Sequence, residues 1–154
     1  MHALTVIARI LLGAIFLVHG LNVFFGFFPM PPLEGAGGAF MSALIQSGYF
    51  LPALATMEIV SGFLLLVARY VPLALILLAP LTLNILAFHV FLAPAGLVFA
   101  IVLVGLNVFL AIAYRDSFAG VLRHDAEPMR RRASAPVHLG EGPRGPDIRE
   151  PAEA

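Results

Sequence analysis

The sequence predicts an all-α integral membrane protein, a four-helix bundle followed by a disordered cytoplasmic C-terminal tail. Three observations predict it. Hydrophobic residues make up 60% of the chain and charged ones 12%, with mean hydropathy +0.97, whereas a soluble domain carries about 25% charged residues. The charges are segregated: residues 1–114 hold only Arg9, Glu34, Glu58 and Arg69, and every other acid or arginine lies beyond them. Four stretches also reach the roughly 20 apolar residues that a helix needs to cross a hydrocarbon core of about 30 Å. A chain of this length has room for one domain, here 1–118, with 119–154 as the tail.

The first span covers residues 4–28. Its apolar run is too long for a secretory signal, and Phe24, Phe25, Phe27 and Phe28 stand where small cleavage-site residues belong; it reads as a retained anchor. Pro29, Pro31 and Pro32 end it, since proline suits loops and first helical turns. In the loop that follows, Phe40, Met41, Leu44 and Ile45 recur at helical spacing up to Ser47-Gly48. They predict a short helix in the membrane interface, capped by Gly48. The second span covers 49–68, and the third 71–92 with Pro72 in its first turn. Pro80 should free the carbonyl of Ile76 and kink the third span. The fourth covers 95–114, after Pro94. Phe118, Val121 and Leu122 then predict an interfacial turn, and from Asp125 onward Pro, Gly and mixed charge predict disorder.

Arginine orients the bundle. Cytoplasmic flanks are enriched in basic residues, and Arg9, Arg69, Arg115, Arg123 and Arg130 to Arg132 all fall on one side if four spans start inside. The loops 29–48 and 92–95 contain no Arg or Lys. Both termini are therefore expected in the cytoplasm of a bacterial inner membrane. Lysine is absent altogether, which hints at a GC-rich bacterial genome. A formal net charge of zero gives no sign of nucleic-acid binding. With no cysteine, disulfides, thiolate metal sites and thiol relays within the chain are excluded.

Ionisable groups at membrane depth are the candidate functional residues, because placing them there costs free energy. Glu58 sits near the middle of the second span. About ten strongly apolar residues at roughly −0.5 kcal/mol each outweigh roughly +3 kcal/mol for a central carboxylate, so the helix inserts with Glu58 facing protein. Leu51, Ala55, Glu58, Ser61, Gly62, Leu65 and Arg69 share one broad face. Glu58 is either a register-fixing buried group or a proton or ligand site. Arg9, in a stripe with Gly13, Phe16 and Gly20, lies ~10 Å nearer the cytoplasm. It either reaches Glu58 as counter-ion or snorkels to the headgroups.

His19 and Asn22 lie in the outer half of the first span, His89 at similar depth in the third, and Asn84 nearer the midplane. They predict a polar cluster below the outer surface. Two histidines fall short of the three or four ligands of a zinc site, so no metal is expected. A hydrogen-bonded set joining helices and a quinone-headgroup or proton-accepting site both remain open. Asn107 reads as an interhelical hydrogen-bond donor. Nucleotide-loop, HExxH, nucleophile-elbow and haem-attachment patterns are missing, so enzymatic activity of the isolated chain is left undecided.

Ala8-Arg9-Ile-Leu-Leu-Gly13 with His19-Gly20, Gly48-Tyr-Phe50 leading to Glu58 and Ser61-Gly62, Arg69 and Pro72 at the tight turn, and Asn84 with His89 together resemble the DoxX family of small bacterial membrane proteins. The resemblance covers roughly residues 4–118. It implies a four-helix membrane bundle and an association with redox chemistry, since relatives include the small subunit of a thiosulfate:quinone oxidoreductase. Asn22 stands where many relatives carry a basic residue, which weakens an anion-binding role there. The absent cysteines also exclude the quinone-linked disulfide chemistry of other four-helix membrane enzymes.

The leading expectation is thus a subunit associated with a membrane oxidoreductase, with quinone or proton handling by Glu58, Arg9, His19 and His89 and no intrinsic cofactor. Its partners would be lipid, a membrane or soluble oxidoreductase subunit, and a second copy of itself. The competing expectation is a non-enzymatic scaffold or accessory subunit whose buried polar groups hold the bundle together. A transporter is a third reading, which no internal repeat supports.

Overall fold

The computed structural model describes residues 2–29 and 32–118. The expected disordered tail, and Val121 and Leu122 of the expected interfacial turn, lie outside the described residues. All regular elements among those residues are helical: α1 (His2–Phe25), α2 (Gly35–Gln46), α3 (Phe50–Leu66), α4 (Val71–Phe91) and α5 (Leu97–Ala113), with single 3-10 turns at Pro94–Gly96 and Arg115–Phe118. The helices α1 and α4, and α5 together with the turn before it, are each long and apolar enough to cross a bilayer. The 17 residues of α3 sit at the short limit for a span, and α3 meets α2 at 90°.

The first helix stops at Phe25, three residues before the end of its apolar run. Gly26 takes a left-handed φ of +62°, which costs glycine nothing. Asn22 then fastens the returning chain: Phe28 N–H donates to its Oδ1 at 2.7 Å and its Nδ2 donates to Phe28 O at 3.1 Å. Sequence pattern alone extends the helix through Phe28; a side-chain clamp and one glycine end it sooner. α2 forms as expected and closes at Ser47, with Gly48 following at φ +73°. Ile45, expected on its apolar face, is 57% exposed.

The chain turns from α3 to α4 in four residues, with Ala68 and Tyr70 both at positive φ. The amides of Ala68 and Arg69 return to Leu65 O and Leu64 O at 3.2 and 3.1 Å, satisfying carbonyls a helix end leaves free. Arg69 is exposed in this turn and departs from the face that Ala55, Glu58, Ser61, Gly62 and Leu65 bury. α4 continues unbroken past Pro80.

The tightest contact joins α1 to α3. A methyl group added at Gly62 would stand 2.7 Å from Gly13 O, and one at Gly20 would stand 2.7 Å from Ala55 O. Two backbones can approach so closely only where side chains are missing, and in lipid such packing replaces the hydrophobic drive between helices. Rising positions on α1 meet falling positions on α3, so the pair is antiparallel. Leu12, Phe16, Leu65, Leu75, Leu78, Leu103 and Leu110 fill the common core, with Tyr114 and Phe118 packed against it.

The outer surface is apolar. Phe91 is 80% exposed and Val98 76%; in water, leaving such side chains uncovered forgoes about 1.5–3 kcal/mol apiece. Distributed over the outward faces of α1, α4 and α5, this surface fits a hydrocarbon solvent. The chain is a membrane protein.

Candidate functional site

At ~1.5 Å per residue, His19 lies about 9 Å from the C-terminal end of α1, Glu58 about 12 Å from the N-terminal end of α3, and Asn84 about 10 Å from the C-terminal end of α4. Helices packed side by side therefore bring these three to one level. Arg9 lies about 24 Å down and belongs to another layer.

His19 Nδ1 and Glu58 Oε2 stand 2.7 Å apart. Gly20 makes the meeting possible, since α3 passes so close there that an added methyl would also lie 3.1 Å from Glu58 Cβ. The pair shares one hydrogen bond: an imidazole N–H donates to the carboxylate, or a carboxylic O–H donates to Nδ1. Either way a buried carboxyl gains a polar partner, which apolar surroundings demand. The Glu58 side chain is 5% exposed and that of His19 56%, so the histidine is the accessible member.

Both residues line a cavity of about 320 Å³ between the helices at the end of the bundle that α2 adjoins, a volume within the usual range for small-molecule sites. Asn84 and His89 line it too, among Phe16, Phe40, Leu54, Leu81, Phe99 and Leu103. Asn84 has no side-chain partner among the described residues. His89 Nδ1 donates to Ala93 O at 2.8 Å; a carbonyl only accepts, so Nδ1 carries hydrogen and Nε2 is the ring atom left free. Its ring covers Gly96, where any side chain would collide with it. The cavity is thus an apolar chamber with four polar groups, suited to orienting a small molecule by hydrogen bonds. Among the described residues no three His, Cys, Asp or Glu side chains gather closely enough to hold a metal.

Two residues expected in this cluster lie elsewhere. Asn22 is occupied by the α1 clamp and does not line the cavity. Arg9 is neither the counter-ion of Glu58 nor a snorkelling side chain. It is 8% exposed, and its guanidinium donates to Leu65 O and, at 3.4 Å, to Leu66 O. These carbonyls close α3, where the helix dipole favours a cation. Asn107, expected as an interhelical donor, is 5% exposed and its Nδ2 finds no acceptor among the described residues.

The His19–Glu58 pairing is invisible in the stripe of either helix alone; counting depth along two antiparallel helices from the ends they share brings the two residues level. The wall from α2, made of Phe40, Met41 and Leu44, has no signal in the sequence beyond helical spacing.

No curated protein and no solved structure matches the chain. Residues 4–91, which include His19, Glu58, Asn84 and His89, match the sequence model of the DoxX family, and the chain belongs to that family.

Proposed function

We propose that this protein is an inner-membrane subunit serving a membrane oxidoreductase, and that its outer cavity holds a quinone headgroup and exchanges protons with it. One observation carries the reading: a nearly fully buried Glu58 joined at 2.7 Å to a more open His19 in the wall of an apolar cavity. A quinone carbonyl accepts hydrogen bonds, which His19 and Asn84 can donate; a quinol O–H donates, and the free Nε2 of His89 can accept. Two electrons from the partner enzyme and two protons convert one form to the other. The His19–Glu58 pair supplies or collects protons through the histidine, while electrons bypass this cysteine-free chain. The basic flanks Arg9, Arg69 and Arg115 favour both termini in the cytoplasm, with the cavity toward the opposite side.

The test is binding of ubiquinone-1 and a short-chain menaquinone to the detergent-purified chain, its Glu58→Gln variant and its His89→Ala variant. Weakening by about tenfold, or 1.4 kcal/mol, supports the site. Unchanged binding in both variants, or none in the parent, removes it.

The second reading is an accessory scaffold, favoured by the Gly13–Gly62 contact and by Arg9 holding the end of α3. It predicts that Glu58→Gln leaves partner assembly intact while bulk at Gly13, Gly20 or Gly62 abolishes it.

A further inference from the structure

A second cavity of about 240 Å³ adjoins the first. The two share Phe40, Asn84 and Phe88; Ala87, Phe91 and Leu92 complete the second. Ala87 and Phe91 lie on the uncovered flank of α4, Phe91 at 80% exposure, so this chamber faces lipid. Between the chambers the rings of Phe40 on α2 and Phe88 on α4 stand 5.8 Å apart at 38°. Polarity falls along the path: four hydrogen-bonding side chains line the inner chamber, and Asn84 alone of them reaches the outer one.

We infer that the ligand is a neutral-headed lipid with a single long apolar chain, entering sideways from the membrane between α2 and α4 and leaving its chain in the second cavity. This rests on the reading of the inner cavity as a headgroup site and adds to it the ligand's tail and route. Neutrality follows from charge. Among the described residues no arginine lines either cavity, and Glu58 lines the inner one. A phosphate head would be desolvated between phenylalanines without a fixed counter-charge, which disfavours it. At 5.8 Å the two rings touch and must rotate apart to admit a ligand, which favours one slender chain over two, and their faces suit a flat conjugated head. An isoprenoid quinone has this chemistry and a diacyl phospholipid does not.

The experiment compares chainless ubiquinone-0 with decylubiquinone on the full chain in one detergent, and repeats it with Ala87→Trp. Ala87 is lipid-facing, so the substitution fills the second cavity without entering the core. Phe91→Trp, also lipid-facing, serves as a second filling variant if the first folds poorly. The parent is expected to prefer the long-chain probe by about tenfold, and the filled variant to lose that preference while keeping its affinity for ubiquinone-0. Equal affinity for both probes, or a preference that survives filling, overturns the tail route and leaves the headgroup reading standing. Binding of neither probe overturns both. Native mass spectrometry supplies a second arm: a phospholipid retained by the parent and lost from Ala87→Trp overturns the neutral-head assignment.

Discussion

His19 and Glu58 meet at 2.7 Å across the glycine-lined contact of α1 with α3, yet one side chain is 56% exposed and the other 5%. That asymmetry defines what the pair can do. Glu58 has no hydrogen-bond partner but His19 among the described residues, so the imidazole is the group through which the carboxyl is coupled to the more open part of the cavity wall. The glycine beside the histidine is as much a part of the site as the acid, because a side chain at position 20 would move α3 away.

Removing the carboxyl and removing the hydrogen bond should have different consequences. Glu58→Gln keeps a donor for Nδ1, and its unfolding midpoint in an SDS titration should stay close to the parent's. Glu58→Leu strands the imidazole and should cost about 1–3 kcal/mol, toward the lower end because more than half of His19 is open. The double change His19→Leu with Glu58→Leu should recover most of that loss, giving a coupling of about 1 kcal/mol. Strictly additive single and double variants would show that the two side chains do not depend on one another in the folded protein.

The glycines sort by what lies opposite them. Gly20→Ala and Gly62→Ala place a methyl 2.7 Å from backbone oxygen, which rotamer changes cannot relieve, and each should cost about 1–3 kcal/mol. Gly105→Ala, with nothing within 4 Å, should be neutral or stabilise α5 by up to about 1 kcal/mol through helix propensity. The same SDS titration checks all three. A Gly105 variant as damaged as the Gly20 one would mean that a second copy or partner packs against that face.

Much of this fold is written in the chain's apolar periodicity, and its departures have local causes. The spans follow from lipid as solvent, which forces backbone polar groups into helices and polar side chains inward. The buried face of α3 is legible because only one arc carries Ala, Ser, Gly and Glu together. The end of α1 is not, because hydropathy rates Phe24, Phe25, Phe27 and Phe28 alike and cannot foresee that Asn22 will clamp Phe28. The placement of Arg9 is hidden for a related reason. An embedded arginine suggests an acid, yet the carbonyls of Leu65 and Leu66 at a helix end were nearer in depth and offered the opposite dipole. His19 and Asn22 sit one turn apart and look like one cluster; the structure divides them between a cavity wall and a loop clamp.

The arginine distribution predicts a topology that reporter fusions can check. Reporter fusions after residue 36 should be active only on the outer side, and fusions after residue 118 only in the cytoplasm. Adding two arginines at Ala36 and Ala39 should weaken that asymmetry and yield mixed orientation. A cytoplasmic signal from residue 36 in the unmodified chain would invert the cavity's placement.

Asn107 offers the sharpest test of whether this chain is self-contained. Its Nδ2, Ser61 Oγ and Arg9 Nε are buried polar atoms without a hydrogen-bond partner among the described residues. An unmatched buried donor carries a desolvation cost of about 1–3 kcal/mol that an apolar side chain of similar shape avoids. Asn107→Leu keeps the branching at Cγ, and in an isolated chain it should therefore raise the unfolding midpoint; Ser61→Ala should be neutral or stabilising for the same reason. If Asn107→Leu instead destabilises by a comparable amount, the amide has an acceptor from outside this chain. Repeating the measurement in co-purified assemblies and in the isolated chain separates the sources. A loss confined to the assembly places a partner's acceptor against α5, whereas a loss in both places a bound water in the bundle.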